Sequence, residues 1–430
     1  MKRTLAALAL ALLSSFACGD DPAPAPGTPD GGGASSSSSG AAGGSSGASS
    51  GGAAAPGCRQ TPQADDALRF VVAGRPYGEL TDAGSATMEH RFSTFTLTSA
   101  GALAGLGEFE LGGYNTSGRI AFTADGRLGA VALESRTQED RGTVGLFRLD
   151  DAGQVTVVHA NYKADFFASD AAFSPDGATL YVSDSNTSAN GGGIYAVAVA
   201  CDGTLGAATR ITHSTGTTPP VWAPTGSAAP FRALVAADSL EGAPAAEGLH
   251  LFAFEGATAT RVGGADAFGQ QTLVQDIAWS PDGAHALLTA PNENVGGMRL
   301  LAVDIEGDAM ALADEWPLPG VETVAASPYG NAYVVGTADP DGVFQVQSTG
   351  DGFRAPVAVT LSGPMAQLPF AASVIGRGAL RGRVLMAELT GIRQLQLAAD
   401  GSVTDLGKFA VPSSGPDDLS AILGAMGVTP

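Results

Sequence analysis

Charge is scarce in this sequence, and what there is has one dominant sign. Only 15% of the 430 residues are charged, and 22 Lys and Arg stand against 43 Asp and Glu, which gives a formal net charge of −21. The resulting pI of about 4.4 means that the chain repels phosphate backbones and anionic lipid surfaces, which argues against nucleic acid as a partner. Long apolar runs are missing too. Beyond the N-terminus none reaches the roughly 18 residues that a bilayer-spanning helix needs, so the body of the chain is expected to be soluble. No stretch keeps a convincing amphipathic helical period. The five histidines (His90, His159, His213, His250 and His285) show no metal-ligand spacing and no nucleophile close in sequence, and His159 falls in a strand signal, where a structural role is expected. There is no haem-attachment or copper-ligand motif, which removes an electron-transfer role. Cysteine is reduced to Cys18, Cys58 and Cys201.

What is abundant is turn-forming residue and apolar residue together. With 60 Gly, 25 Pro and 44% hydrophobic residues, the composition suits many short strands separated by turns. The clearest stretch is 169–184, SDAAFSPDGATLYVSD. It reads as strands at 171–174 and 179–183 joined by Pro175-Asp176-Gly177, in which Pro presets φ and Gly supplies a positive φ. Phe122-Thr123-Ala124-Asp125-Gly126, Trp279-Ser280-Pro281-Asp282-Gly283 and Ala326-Ser327-Pro328-Tyr329-Gly330 repeat the pattern, and Trp222-Ala223-Pro224-Thr225-Gly226 is a fainter copy. A strand pair returning every 50 residues or so is the mark of a β-propeller.

Counting strand signals gives seven units. The second has strands at 120–123, 128–133, 143–149 and 155–159, and the third at 171–174, 179–183, 193–199 and 207–211. The fourth has them at 220–223, 232–236, 248–254 and 258–262. The fifth, sixth and seventh span 274–318, 321–361 and 367–411. The first has only three signals, 68–72, 90–97 and 106–111, and lacks an inner strand, while the chain ends in a segment, 417–424, that looks like the beginning of a blade. The expectation is therefore an all-β, seven-bladed propeller over 58–430, closed by a C-terminal strand that completes the first blade and so removes open sheet edges. The fourth and seventh units are poorly marked, which leaves six or eight blades as alternatives.

Ahead of this domain, Met1-Lys2-Arg3 and the apolar run 5–13 read as a signal peptide, residues 1–17. With Ser15-Phe16-Ala17 before Cys18, the segment resembles a bacterial lipoprotein signal, although that family usually has Leu where Ser15 stands. The resemblance implies lipidation at Cys18; ordinary cleavage leaving a free thiol is the alternative. Residues 18–57 form a Gly, Ser, Ala and Pro tether that cannot bury a core, with an end-to-end distance on the order of 35 Å. The G-x-S-x-G match at Gly43 to Gly47 lies inside it, without the strand and helix of a nucleophile elbow. If Cys18 carries lipid, Cys58 and Cys201 remain as an even pair for a disulfide in an oxidising compartment; two free thiols are the other reading.

Phe173-Ser174-Pro175-Asp176-Gly177 followed by Leu180-Tyr181-Val182-Ser183-Asp184 resembles the YVTN and lactonase-like propeller repeat, a relative of WD40-like repeats of bacterial envelope proteins. The resemblance implies inner strands lining a central channel. It also implies one face shared by the second-to-third-strand loops and the starts of the inner strands, usually the binding face. The long polar loops 74–91, 134–142, 184–193, 238–248, 291–297 and 338–342 fall on that face. At the channel mouth Asp170 and Asp276 stand four residues before Ser174 and Ser280, Glu322 lies within one residue of the same place, Asp418 falls near it, and Arg119 holds it in the second unit. Such converging carboxylates suit a hard cation, Ca²⁺ on Asp170 and Asp276, or a cationic ligand group; equally, each carboxylate caps loop amides or pairs with Arg119. The stretch Asp184 to Asn190 lacks the Gly and the final acid of a calcium loop, Tyr195 standing in the last place, and reads as an ordinary loop. Phe122, Phe173, Trp222 and Trp279 recur at the inner strand and are expected to pack between blades.

The functional expectation is a lipid-anchored envelope protein, periplasmic or at the outer-membrane surface. Its monomeric propeller would bind an envelope protein, peptide or glycan through the acidic, loop-rich face and touch the membrane only through its lipid. The alternative is a lactonase-like hydrolase with a metal at the channel mouth acting as Lewis acid.

Overall fold

The repeated turn explains the repeated sequence. In the third unit Ser174 Oγ donates to Asp176 Oδ1 at 2.6 Å and accepts from Thr179 N at 3.0 Å, while Ala178 N donates to Asp176 Oδ1 at 3.1 Å. The turn closes with Gly177 N on Ser174 O at 2.8 Å, and Gly177 has φ of 66°, a left-handed value at which a Cβ would be strained. The same hydroxyl–carboxylate–amide set recurs at Thr123 and Asp125 (2.7 Å), and at Ser280 and Asp282 (2.5 Å). At Ser327 the carboxylate is missing, and the hydroxyl accepts from Tyr329 N at 3.2 Å instead. The fainter copy at Trp222 to Gly226 lies partly outside the described residues.

The chain divides into two units, Met1–Gly52 and Ala53–Pro430. The computed structural model describes residues 64–65, 67–80, 86–115, 118–134, 142–184, 192–224, 228–244, 247–265, 274–291, 297–338, 341–349, 352–365, 371–389, 391–412 and 419–430. The expected leader, tether, Cys18 and Cys58 lie outside them, as does Asp418.

The strands form seven antiparallel blades. The second is Ala121–Phe122, Leu128–Leu133, Thr143–Leu149 and Val155–Tyr162, and the third is Ala168–Phe173, Thr179–Asp184, Gly193–Val199 and Leu205–Arg210. The fourth is Val221–Trp222, Phe231–Ala236, Leu249–Glu255 and Thr258–Ala265, and the fifth is Asp276–Trp279, His285–Pro291, Met298–Glu306 and Ala309–Pro317. In the sixth, Val321–Ala326, Ala332–Ala338 and Asp341–Thr349 are edged by two fragments, Gly352–Phe353 and Val357–Ala358. The seventh is Ala372–Val374, Arg383–Glu388, Gly391–Leu397 and Val403–Ala410. A two-stranded ribbon pairs Ser214–Thr215, between the third and fourth blades in sequence, with Ser239–Leu240, which follows the second strand of the fourth; it is too short and polar to be read from a strand pattern.

The first blade is Arg69–Leu80, Ala86–Leu97 and Leu103–Glu110, completed by Met426–Val428 pairing antiparallel to Val71–Ala73. The closure is as expected, but its residues differ. Segment 417–424 is not the strand; its described part forms a short 3-10 turn, Leu419–Ala421, that brings the chain back to the axis. The loop expected at 74–91 is likewise mostly hairpin, because both strands run on with register shifts after Arg75 and Tyr77.

Thr429-Pro430 turns out to be the missing copy of Ser-Pro. Thr429 N donates to Phe70 O and Thr429 Oγ1 accepts from Phe70 N, both at 2.9 Å. Ser174 makes the same two bonds to Thr179, so the two segments of the first blade rebuild one repeat across the closure.

Seven hydrophobic clusters sit in the seams. One joins Leu385, Ala387 and Ile392 of the seventh blade to Val71, Phe95 and Met426 of the first, so the ring is sealed by the same kind of contact throughout. The inner-strand aromatics pack there as expected: Phe173 with Leu128 and Leu146, Trp279 with Leu234 and Leu251, and Trp222 against Tyr181 with ring centroids 5.3 Å apart. Phe122 lies in the first seam, at 5.9 Å from Phe147.

Candidate functional site

In the blades whose turn carries a hydroxyl, the residue four places before it stands near the start of the inner strand on one face. Arg119, Asp170 and Asp276 occupy that register as expected, and counting back from Thr429 puts Ala425 there for the first blade. In the sixth blade the register belongs to Thr323. The pairing steps from Val321–Thr337 to Thr323–Gly336, which leaves Glu322 as the extra residue of a bulge.

Arg119 crosses the channel. Its Nη2 pairs with Asp276 Oδ1 of the fifth blade and lies 3.2 Å from Val324 O of the sixth and 3.5 Å from Ile277 O. Asp276 is held in turn: Oδ1 accepts from Ile277 N at 2.9 Å, and Oδ2 from Thr323 Oγ1 and Val324 N at 2.8 Å each. One carboxylate thus stitches two neighbouring blades together and anchors a cation from the far side. Burial works against the guanidinium charge, but Asp276, with a smaller contribution from Asp170, outweighs it and raises the pKa of Arg119.

Asp170 and Glu322 have a different electrostatic setting. Burial pushes the carboxyl of Asp170 up to about 7, helped by the charge of Asp276 and opposed by the Ala171 amide (2.7 Å) and by Arg119. Burial alone pushes Glu322 up to about 7. Both carboxyls are half-buried, and neither forms an ion pair among the described residues. The structure therefore brings Arg119, Asp170 and Asp276 together and sets Glu322 one residue off the same ring.

A calcium cage does not emerge from these residues. No group of three or more His, Cys, Asp or Glu among the described residues is arranged to hold a metal ion, and Asp276 uses both oxygens on protein donors. The cation at the described part of the mouth is the Arg119 guanidinium. All six loops assigned to this face fall partly outside the described residues.

Two other polar groupings leave no mark in the sequence pattern. His250 is fully buried and lies 3.4 Å from Arg261 Nε and 3.8 Å from Glu247; burial first, then Arg261, lowers its pKa to about 4, so it is neutral. In the seventh blade Arg393 lies between Glu388 and Asp405. His159 accepts from Leu205 N at 3.3 Å, the structural role expected of it. Cys201 is disulfide-bonded, and both other cysteines lie outside the described residues.

The raised carboxyls make stability depend on pH in a definite direction. Between an unfolded value of about 4 and a folded value of about 7, the folded state holds protons that the unfolded chain has released, so stability falls as pH rises through this window. Glu322→Gln removes one such group without breaking a bond. The variant should be more stable than the parent at pH 8, by about 1 kcal/mol after allowing for partial exposure, and equal to it at pH 4. Thermal melts across this range check it; an unchanged pH profile would contradict the assignment.

No family model and no curated protein matches the chain. Among solved structures it is similar to a Bacteroides uniformis protein described as a candidate 6-phosphogluconolactonase, with 14% identity, 84% of this chain and 99% of that one covered, and a TM-score of 0.59. It is also similar to a protein from Lactobacillus plantarum (13% identity, 84% and 99% covered, TM-score 0.53) and to one of unknown function from Desulfotomaculum acetoxidans (12%, 84% and 98%, TM-score 0.52). At such identities the likeness carries the fold alone, and it agrees with the strand pairing: the chain is a seven-bladed β-propeller.

Proposed function

We propose that this protein is an anchored binding propeller of the bacterial cell envelope. It is held by a lipid on Cys18 and a 40-residue tether over 18–57, with Cys58 bridged to Cys201, and presents its channel-mouth face to an envelope protein, peptide or glycan. The observation that carries this reading is the use made of the mouth residues. Arg119 and Asp276, the pair with the chemical character of a catalytic couple, are committed to holding the blades to one another. Asp170 and Glu322, partly neutral near pH 7, are left as hydrogen-bonding groups that can donate as well as accept. A face of this kind suits recognition of polar and hydroxyl-rich surfaces.

A second reading, a lactonase-like hydrolase, draws on the likeness to the candidate 6-phosphogluconolactonase and on Asp170. A carboxyl with a pKa near 7 beside a guanidinium is poised for general acid–base work at neutral pH. One experiment separates the two. The full chain and its Asp170→Asn and Glu322→Gln variants are tested on envelope glycan and peptide arrays and, in parallel, for hydrolysis of 6-phosphogluconolactone and simple lactones. Array binding weakened in the variants, without turnover, is the expected result. Turnover abolished in Asp170→Asn would replace the binding reading with the hydrolase.

A further inference from the structure

On the face opposite the mouth, where the seventh blade joins the first, Arg69 and Arg377 lie against each other, and Arg383 lies at the same seam against a first-blade turn. Arg69 starts the second strand of the first blade, is only 2% exposed, and donates to two carbonyls, Thr429 O at 3.2 Å and Arg377 O at 3.5 Å. Arg377 follows the inner strand of the seventh blade, and its Nε and Nη2 are buried with no hydrogen-bond partner. Arg383 reaches across from the seventh blade; its Nη1 lies where a side chain at Gly101, in a first-blade turn, would stand. It is held there by the neutral oxygens of Gln394 (2.7 Å) and Gln396 (3.3 Å).

Arg75, Arg119 and Arg393 stand in contrast. Arg75 has Glu108, Arg119 has Asp276, and Arg393 has both Glu388 and Asp405. In a chain with 43 acidic residues, Arg69, Arg377 and Arg383 form no ion pair among the described residues. Among the described residues the carboxylate that acts on Arg69 is Asp65, itself exposed. Burial and the neighbouring charge of Arg377 both lower the pKa of Arg69, and burial lowers that of Arg383. Cations placed in low dielectric beside one another call for a counter-charge.

We propose that the seam of Arg69 and Arg377 is an oxyanion site that takes a phosphate group. A tetrahedral dianion balances two guanidiniums and can accept from several planar N–H forks at once, including the unpartnered Nε and Nη2 of Arg377. The phosphate is that of a soluble phosphate monoester, a dianion, or of a phospholipid headgroup, a phosphodiester monoanion; in both, the free oxygens accept from the arginine N–H groups.

The test uses the full chain. Its melting temperature is followed against inorganic phosphate at constant ionic strength, with chloride as the balancing anion. The expected result is a saturable rise of several degrees that is absent in Arg377→Gln. Because no bond is lost from the guanidinium nitrogens that have no partner, Arg377→Gln should melt no lower than the parent in chloride. Arg127→Gln, which removes an exposed pair with Asp151 on the same face, should keep the phosphate response. Flotation with phosphatidylglycerol and with phosphatidylcholine vesicles, in a Cys18→Ser background, assigns the source. Capture by the anionic vesicles that Arg377→Gln removes means a headgroup; no capture, with the phosphate response intact, means a soluble ester. Phosphate acting no better than chloride, or a response that survives Arg377→Gln, overturns the site.

Discussion

Removing residues 425–430 should unfold the propeller. Met426–Val428 is the inner strand of the first blade, and its loss strips Val71–Ala73 of their ladder. The bonds on either side go with it: Gly74 N to Ala425 O (2.8 Å), Ile120 N to Met426 O (3.2 Å), and the reciprocal pair between Phe70 and Thr429 (2.9 Å). Ala425, Met426 and Thr429 are fully buried, and Met426 belongs to the cluster that seals the seventh blade to the first. At about 1 kcal/mol for each hydrogen bond, with the apolar burial added, the loss is on the order of 5–10 kcal/mol, the whole stability of a typical domain. A gentler variant tests the same seam. A Cβ on Gly427 would collide with the backbone oxygen of Ile120 in the second blade, so Gly427→Val must push the first two blades apart. Far-UV circular dichroism and size exclusion are the measurements. Truncation should give an aggregated or unfolded chain, and Gly427→Val a folded one with a much lower melting point. A truncated chain that melts with the parent would show that the ring does not depend on this strand.

How much of this was legible in the sequence depends on the range of the interaction. Turns were legible because their chemistry is local: the hydroxyl, the carboxylate and the glycine of Ser174-Pro175-Asp176-Gly177 bond within five residues of one another. Blade number followed from repeating that unit, and the missing inner strand of the first blade implied a closing strand. The identity of that strand was misread because 417–424 is apolar enough to resemble a strand, whereas Met426–Val428 is three residues long. The usable signal was Thr429-Pro430, the Ser-Pro of the repeat in conservative form. At the mouth, register alone placed Arg119, Asp170 and Asp276, because a propeller turns equal offsets into neighbours around an axis. What register could not say is that Arg119 spans to the fifth and sixth blades, 157 and 205 residues away, and pairs there with Asp276. Glu322 was offset by one residue because a bulge, invisible in the pattern, shifts the sixth blade.

The buried ion cluster of the seventh blade is the other place where one side chain should matter greatly. Arg393 is 2% exposed and donates to Glu388 through Nε, to Asp405 Oδ2 at 2.8 Å through Nη1, and to Pro364 O at 3.1 Å through Nη2. Asp405 Oδ2 also accepts from Ser362 N (2.6 Å) and Ser362 Oγ (2.8 Å), so the cluster ties the segment leaving the sixth blade to the strands of the seventh. Arg393→Met would take from Glu388, which is completely buried, the guanidinium it faces; the amine of Lys408 at 3.7 Å is a longer contact. Removing one member of a buried ion pair in this way costs about 3–5 kcal/mol, because the remaining charge has been desolvated without its counter-charge. The pH dependence gives a check that packing loss alone would not. In the parent, burial pushes the carboxyl of Asp405 up, but the amides of Ser362 and Gly407, with Arg393, bring it below the usual carboxylate range. Its contribution is therefore present at neutral pH and is lost only as pH falls below that range. In Arg393→Met that hold on Asp405 is weakened, so the stability gap to the parent should narrow between pH 7 and about pH 4. The double variant Arg393→Met, Glu388→Gln should regain part of the loss at pH 7, since the carboxylate that Arg393 faces is then absent. If the single variant is equally destabilised at both pH values, Arg393 acts through packing and not through charge.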